Sequence, residues 1–279
     1  MGRTFVTRNF TKRNFVARSF VKRAYSSTYD ADATAFFART PTQYDTAHKV
    51  AISNFIAGLK SDASVSSLAT ICDLKYFIGS PTADDALINA VSSSFNGTPI
   101  NSPPFNANQG YAGDSVAACI STNYNPSVNN SAISLNNSSF AIYIRNNVAE
   151  NATDVGADDS VFNIWYLQSQ KTNNTSIIGL NDSYSSPGSV STSVGLFHVI
   201  RSGSGGVSLY QNGILIGTTT DVSVALTNMV IYLLALNYFG AGALQFSSKQ
   251  ISYFTVLNTS VTPANLWTRF QTLQTAFGW

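Results

Sequence analysis

The sequence predicts a mainly β protein, a sandwich or jelly roll, preceded by a short helical segment and an extended, basic and aromatic N-terminal arm. Three observations carry this. From about residue 95 onward, short apolar runs are separated by clusters of Gly, Asn, Ser and Pro about every 8–12 residues, the spacing of strands and turns in a two-sheet fold. Apolar residues form 44% of the 279-residue chain, with 18 Phe, 13 Tyr and 3 Trp, enough for a sizeable core and too much for a disordered chain. Residues 1–25 carry seven of the sixteen basic residues and none of the fourteen acidic ones, so a net charge of only +2 conceals a basic arm on a mildly acidic body. The length allows one or two domains. Texture divides the chain into an assembly arm (1–29), a small helical or mixed connecting segment (30–94) and a sandwich with a C-terminal helix (95–279).

The arm is a repeat of period five. Arg3, Arg8, Arg13, Arg18 and Arg23 each stand two residues before an aromatic: Phe5, Phe10, Phe15, Phe20 and Tyr25. A helix would rotate successive aromatics by about 140°, and a strand would send them to alternate faces. Neither element gathers them on one buried face. The square coil of pentapeptide-repeat proteins suits the period, and the aromatics resemble that family's central position, but five repeats make little more than one coil. The spacing therefore predicts an anchor that gains order against other subunits, or against itself in a homo-oligomer. Arg would pair with acidic surfaces and Phe would fill pockets. Nucleic-acid binding through phosphate contacts and base stacking is the other reading of these residues. Strict spacing favours assembly, because non-specific phosphate binding tolerates irregular spacing.

Helical signals follow. Residues 32–39 read as a short helix stopped by Pro41. Thr42 reads as the cap of a second helix, with Asp45 as its capping-box partner and Val50, Ile52, Phe55, Ile56 and Leu59 near one face. Residues 83–91 read as another short helix. Strands are predicted at 139–144, 160–167, 175–180, 195–201, 207–211, 214–219, 229–236 and 249–257. Asn212-Gly213 between two of these runs predicts a tight hairpin. Thr262-Pro263 opens a last amphipathic helix through Leu266, Phe270 and Leu273.

The composition also excludes. Charged residues are 11% of the chain, against roughly 25% in typical soluble domains, their place taken mainly by Ser, Thr and Asn. Cys72 and Cys119 are too few for a disulfide scaffold and lack metal-ligand spacing. The longest apolar run, 229–236, is about half of what a bilayer crossing needs, so no membrane partner is expected. The basic start has no continuous apolar stretch and does not read as a signal peptide.

Three patches together resemble a family of structural proteins of tailed bacteriophages that carry a concanavalin A-like (laminin G-like) jelly roll. The first runs from Asp30 and Asp32 through Thr40, Pro41 and Thr42 to Ile52, Gly58, Leu59 and Lys60. The second joins Phe95 and Gly97 to Gly110–Asp114 and Ile120–Pro126. The third, and most specific, takes Gly195, His198 and Arg201, then Leu209–Gly213, Ala235–Asn237, Phe246, Gln250–Phe254, Thr262-Pro263 and Phe270-Gln271. The resemblance covers most of residues 30–279. It implies a virion location, other virion proteins as partners, a head or tail decoration or fibre role, and no cofactor.

Enzymatic readings find little support. Glycoside hydrolases on a jelly roll of this kind use two carboxylates about 5 Å apart for retaining chemistry, whereas Glu150, in a polar loop, is the only Glu in the chain. No nucleophile elbow or phosphate loop is present. His48 and His198 lie far apart in sequence, and His198, following Phe197 in an apolar strand, reads as a hydrogen-bonded structural imidazole. Asp154, Asp158 and Asp159 are the densest acidic group, read as a solvated Gly-containing loop, with binding of a hard cation as the alternative. No metal ligand is assigned. Tyr184, Tyr238 and Phe239, aromatics among loop-type residues, are the candidates for binding a host surface glycan. The expected function is thus a non-enzymatic virion structural protein anchored by its arm, with a glycan-binding adhesin and a packaged nucleic-acid-binding protein as alternatives.

Overall fold

The computed structural model describes residues 29–42, 44–161 and 163–279. The period-five anchor, Arg3 to Tyr25, lies outside the described residues. In chain order the strands are β1 (Cys72–Tyr76), β2 (Thr98–Ile100), β3 (Phe105–Asn106), β4 (Gly110–Ala112), β5 (Cys119–Ser121), β6 (Ser138–Ile144), β7 (Val155–Asp158), β8 (Ile164–Gln168) and β9 (Thr175–Asp182). They continue as β10 (Ser185–Ser189), β11 (Gly195–Arg201), β12 (Ser208–Gln211), β13 (Ile214–Thr218), β14 (Tyr232–Leu233), β15 (Leu236–Tyr238), β16 (Gly242–Leu244) and β17 (Gln250–Leu257). The first sheet has the order β13-β12-β11-β6-β17-β4-β3, with β1 also paired to β17. The second has the order β10-β9-β8-β7-β14-β5-β2, with β15 joining β7 in parallel and carrying β16. This is the mainly β sandwich that the texture predicts.

Alternation explains why strands of the first sheet are buried on both faces. Phe140, Ile142 and Ile144 of β6, Phe197 and Val199 of β11, and Phe254 and Val256 of β17 point into the core between the sheets. Their neighbours Ala141, Tyr143, Leu196, Tyr253 and Leu257 point outward into a second apolar cluster. A helical layer closes over that outer face: α1 (Ala31–Phe37), α2 (Thr46–Asp62) and α5 (Pro263–Phe277). Ile52, Phe55 and Leu59 of α2 meet Leu266, Phe270 and Leu273 of α5 there. Arg269 grips Asp62 with two hydrogen bonds, Nε to Oδ2 at 3.0 Å and Nη2 to Oδ1 at 2.7 Å. Lys60 Nζ joins Asp30 and Asp32, so three residues of the N-terminal motif meet in one ion cluster. The predicted strand at 195–201 and the C-terminal helix, with Thr262 as cap and Pro263 in its first turn, form as expected. So does the hairpin, with Asn212 at φ 52° and Gly213 at φ 77°.

Several expectations are corrected. Asp45, not Thr42, caps α2, its side chain accepting from the His48 amide. The helix expected at 83–91 is the single turn α3 (Ala83–Ala86); beyond it Asn89 bonds the Lys75 amide and its own local backbone, drawing the chain into a turn. The 160–167 strand begins only at Ile164, because Asp158 and Asp159 accept the amides of Ser160 and Val161 and turn the chain first. The 229–236 strand breaks at Leu234, whose φ of 66° separates β14 from β15. The mixed character of residues 30–94 includes a strand, β1, which pairs with β17 from Cys72↔Leu257 to Tyr76↔Phe254. The short turn α4 (Pro126–Asn129) completes the helices.

Candidate functional site

Among the described residues no helix covers the outer face of the second sheet, and this face carries a groove. Along β8 the inward residues are Trp165 and Leu167, whereas Ile164 and Tyr166 belong to a small outer cluster with Leu236. Two cavities of about 360 and 490 Å³ open side by side on this face and share Tyr184 and Gln245. Asp158, Ser160, Tyr238 and Leu244 complete most of the first; Asn151, Tyr166, Gln168 and Lys171 complete most of the second.

Hydrogen bonds hold the dividing wall. The Tyr184 hydroxyl donates to the Asp158 carboxylate, whose other oxygen accepts the Ser160 amide at 2.8 Å. Tyr166 donates to Gln245 Oε1 at 2.8 Å, and Thr153 Oγ1 and Gln168 Nε2 approach the same oxygen at 2.8 and 3.3 Å. The Gln245 NH2 makes no hydrogen bond among the described residues and is available to a ligand. Burial raises both phenols above their ordinary range, aided at Tyr184 by the bond to Asp158, so both stay neutral. Gly179 faces Tyr166 across β8 and β9; a Cβ there would lie 2.2 Å from Ile164 Cδ1, so the floor between them is kept low. A concave surface with aromatic walls and a few directed amide, hydroxyl and carboxylate groups can stack a ring and read its polar substituents.

Of the residues singled out from the sequence, Tyr184 and Tyr238 line one cavity. Phe239 is exposed beside them, and its amide donates to the Asp158 carbonyl. The acidic group is not a solvated loop: Asp154 directly precedes β7, Asp158 ends it, and all three carboxylates are buried. Asp154 pairs with Lys249, Asp158 with Tyr184, and Asp159 accepts from the backbone amides of Val161, Asn163 and Asn228. No group of three or more His, Cys, Asp or Glu side chains among the described residues is arranged to hold a metal ion.

His198 is buried as expected, but neither ring nitrogen has a hydrogen-bond partner, and burial lowers its pKa to about 3. His48 packs against Phe277 at 4.2 Å between ring centroids. Glu150 is held by Ser247 and Ser248. Cys72 and Cys119 are buried free thiols. The sequence reading missed Tyr166, Gln168 and Gln245; the alternation at 164, 166 and 168 was the available signal for the first two.

No protein-family model matches the chain, and no curated protein matches it in sequence. Solved structures do match in fold. The receptor-binding domain of a botulinum neurotoxin C/D mosaic serotype is similar at a TM-score of 0.50 and 18% identity, over 74% of this chain and 51% of that one. A botulinum neurotoxin type C structure, described through cell entry that depends on two ganglioside molecules, is similar at 0.50 and 16% identity, over 74% and 52%. Domain 4 of an extracellular arabinanase from Geobacillus stearothermophilus, in complex with arabinotriose, matches at 0.44 and 15%, over 71% and 97%. This chain spans about half the length of the neurotoxin chains. The class the two neurotoxin likenesses define is the β-sandwich, and they define the fold alone.

Proposed function

We infer that the protein is a non-enzymatic glycan-binding sandwich, carried on a bacteriophage particle by its N-terminal arm. The observation that carries the binding half is the groove on the uncovered sheet face, where Tyr184 and Tyr238 wall a cavity edged by Asp158 and Gln245. A sugar ring stacks on an aromatic wall, and its hydroxyls bond the free Gln245 amide and neighbouring polar groups. Among the described residues Asp158 is the one carboxylate lining the first cavity, and Tyr184 and Ser160 already bind it, which argues against paired-carboxylate hydrolysis. The neurotoxin domain described with gangliosides shares the fold and suggests a ligand class to screen. A glycan array probed with the full chain tests this reading. Binding that weakens in Tyr184→Ala and Tyr238→Ala supports it; no binding to any glycan overturns it.

The virion half rests on the sequence. The motifs shared with phage structural proteins support a particle component, and the period-five arm supports an anchor that docks on other virion proteins or on copies of itself. The arm would gain order on docking, and its buried aromatics would offset the lost chain entropy.

A further inference from the structure

Lys249 and Asp154 face each other inside the sandwich, in surroundings that do more than neutralise them. Lys249 immediately precedes β17 in one sheet, and Asp154 immediately precedes β7 in the other. Both side chains are fully buried, and Lys249 Nζ lies 3.1 Å from each Asp154 oxygen. The Ser169 backbone amide donates to Asp154 Oδ2 at 2.7 Å. On the other side, Ser247 Oγ lies 3.1 Å from Asp154 Oδ1 and 2.7 Å from Glu150 Oε1, while accepting the Lys249 amide. A hydroxyl has one proton, so it serves one of these two carboxyl oxygens; a proton on either carboxyl completes the chain of hydrogen bonds. Glu150 Oε1 is itself 4.0 Å from Lys249 Nζ, and Glu150 keeps a partly exposed edge.

We propose that Lys249 and Asp154 condense into an intramolecular amide that ties the two sheets together, with Ser247 and Glu150 as the proton relay. The Lys249 ammonium gives a proton to Glu150, Glu150 passes it through Ser247 to Asp154 Oδ1, and the freed amine pair attacks Cγ of the now neutral carboxyl. The Nζ–Cγ bond forms, and negative charge collects on Oδ2, where the Ser169 N–H meets it. Nζ, positive once bonded, gives a second proton to Glu150, which returns it through Ser247 to the Oδ1 hydroxyl; this leaves as water as the Cγ–Oδ1 bond breaks and the Cγ–Oδ2 double bond re-forms. An ammonium and a carboxylate thus become one neutral amide and one water, with no oxidant or co-reactant. Fixed contact supplies the effective concentration. The product also removes two charges from a site where charge is costly to bury.

The test is a denaturing intact-mass measurement of the purified full chain with a peptide map. The expected result is a mass lower than that of the sequence by one water, with the peptides containing residues 154 and 249 joined. Lys249→Arg keeps the cation and should show the mass of its sequence. Glu150→Gln should slow bond formation by about 100-fold or more, leaving freshly made protein mainly uncross-linked. A wild-type chain at the full sequence mass overturns the proposal, as does water loss without the joined peptide. Equal cross-linking in Glu150→Gln overturns the relay.

Discussion

Tyr184 stands edge-on against Tyr166, with ring centroids 4.6 Å apart and planes at 87°, and ties its hydroxyl to Asp158. The loop joining β9 to β10 is thereby fastened to β8 and β7, so the wall between the two cavities is set before a ligand arrives. Removing the ring in Tyr184→Ala should weaken a glycan ligand by about tenfold, the scale of one aromatic contact. Tyr184→Phe keeps the ring and loses only the tether, so it should cost less. Titration calorimetry on both variants, with the best array ligand, checks the order. An equal loss in both would assign the binding to the hydroxyl instead.

His198 makes the fold acid-sensitive. Its pKa falls from 6.5 to about 3 because it is buried, with the nearby Lys75 adding to the effect. Below pH 6.5 the unfolded chain takes up a proton that the folded chain refuses, so stability drops as pH falls towards 3. At pH 5 this amounts to about 2 kcal/mol. Asp182, paired with Arg201, slopes the other way: burial raises its carboxyl to about 6, so its contribution diminishes as pH rises. Comparing wild type with His198→Met cancels that term. Urea unfolding at pH 7 and pH 5 should show the stability difference between the two proteins moving by about 2 kcal/mol in favour of Met at pH 5. An unchanged difference would mean that the imidazole reaches solvent.

Asp73 should be among the costliest side chains to alter. It sits where the β1–β17 register shifts, and it accepts from the Tyr124 hydroxyl, the Ser131 hydroxyl and the amides of Ser131, Ala132 and Ile133. Asp73→Asn aims an NH2 at donors and should cost about 2–4 kcal/mol, because charge-assisted bonds are lost and buried donors stay unpaired. Thermal and urea melts measure it. A loss below about 1 kcal/mol, the worth of a single ordinary hydrogen bond, would show that the segment rearranges around the change.

Asp73 also shows why part of the fold was hidden in the sequence. Asp73 and Lys75 interrupt the apolar pattern of β1, yet both are buried, one by its five donors and the other by hydrogen bonds to Tyr253 and Thr255. Polarity alone reads such a strand as surface. Strands β2 to β5 have only two or three residues each, too few to display a period. Strands such as β6, β11 and β17 were legible because seven or eight residues carry the pattern. At the groove, Tyr184 and Tyr238 stood out as aromatics among loop residues, whereas Tyr166 was concealed in an apolar run. Its alternation with Trp165 and Leu167 separates the two faces of the strand, but which face lies outward is set by how the sheets pack and not by the run itself.

The arm provides the sharpest test of how the protein is used. If the arm serves assembly alone, deleting residues 1–25 should leave the melting temperature and any glycan affinity unchanged, the body keeping the two apolar clusters built among the described residues. Such a truncated chain should fail to enter particles, which immunoblotting of purified virions would reveal. Inserting one residue between Phe10 and Arg13 separates the two readings of the arm. It preserves all seven charges but breaks the period of five, so docking into spaced pockets should fail. Non-specific binding to duplex DNA depends on charge, and with seven cations its affinity should fall with salt at a logarithmic slope of about −6, insertion or not. Normal incorporation of the inserted variant, together with that salt slope, would reject the anchor and make the arm a nucleic-acid-binding segment.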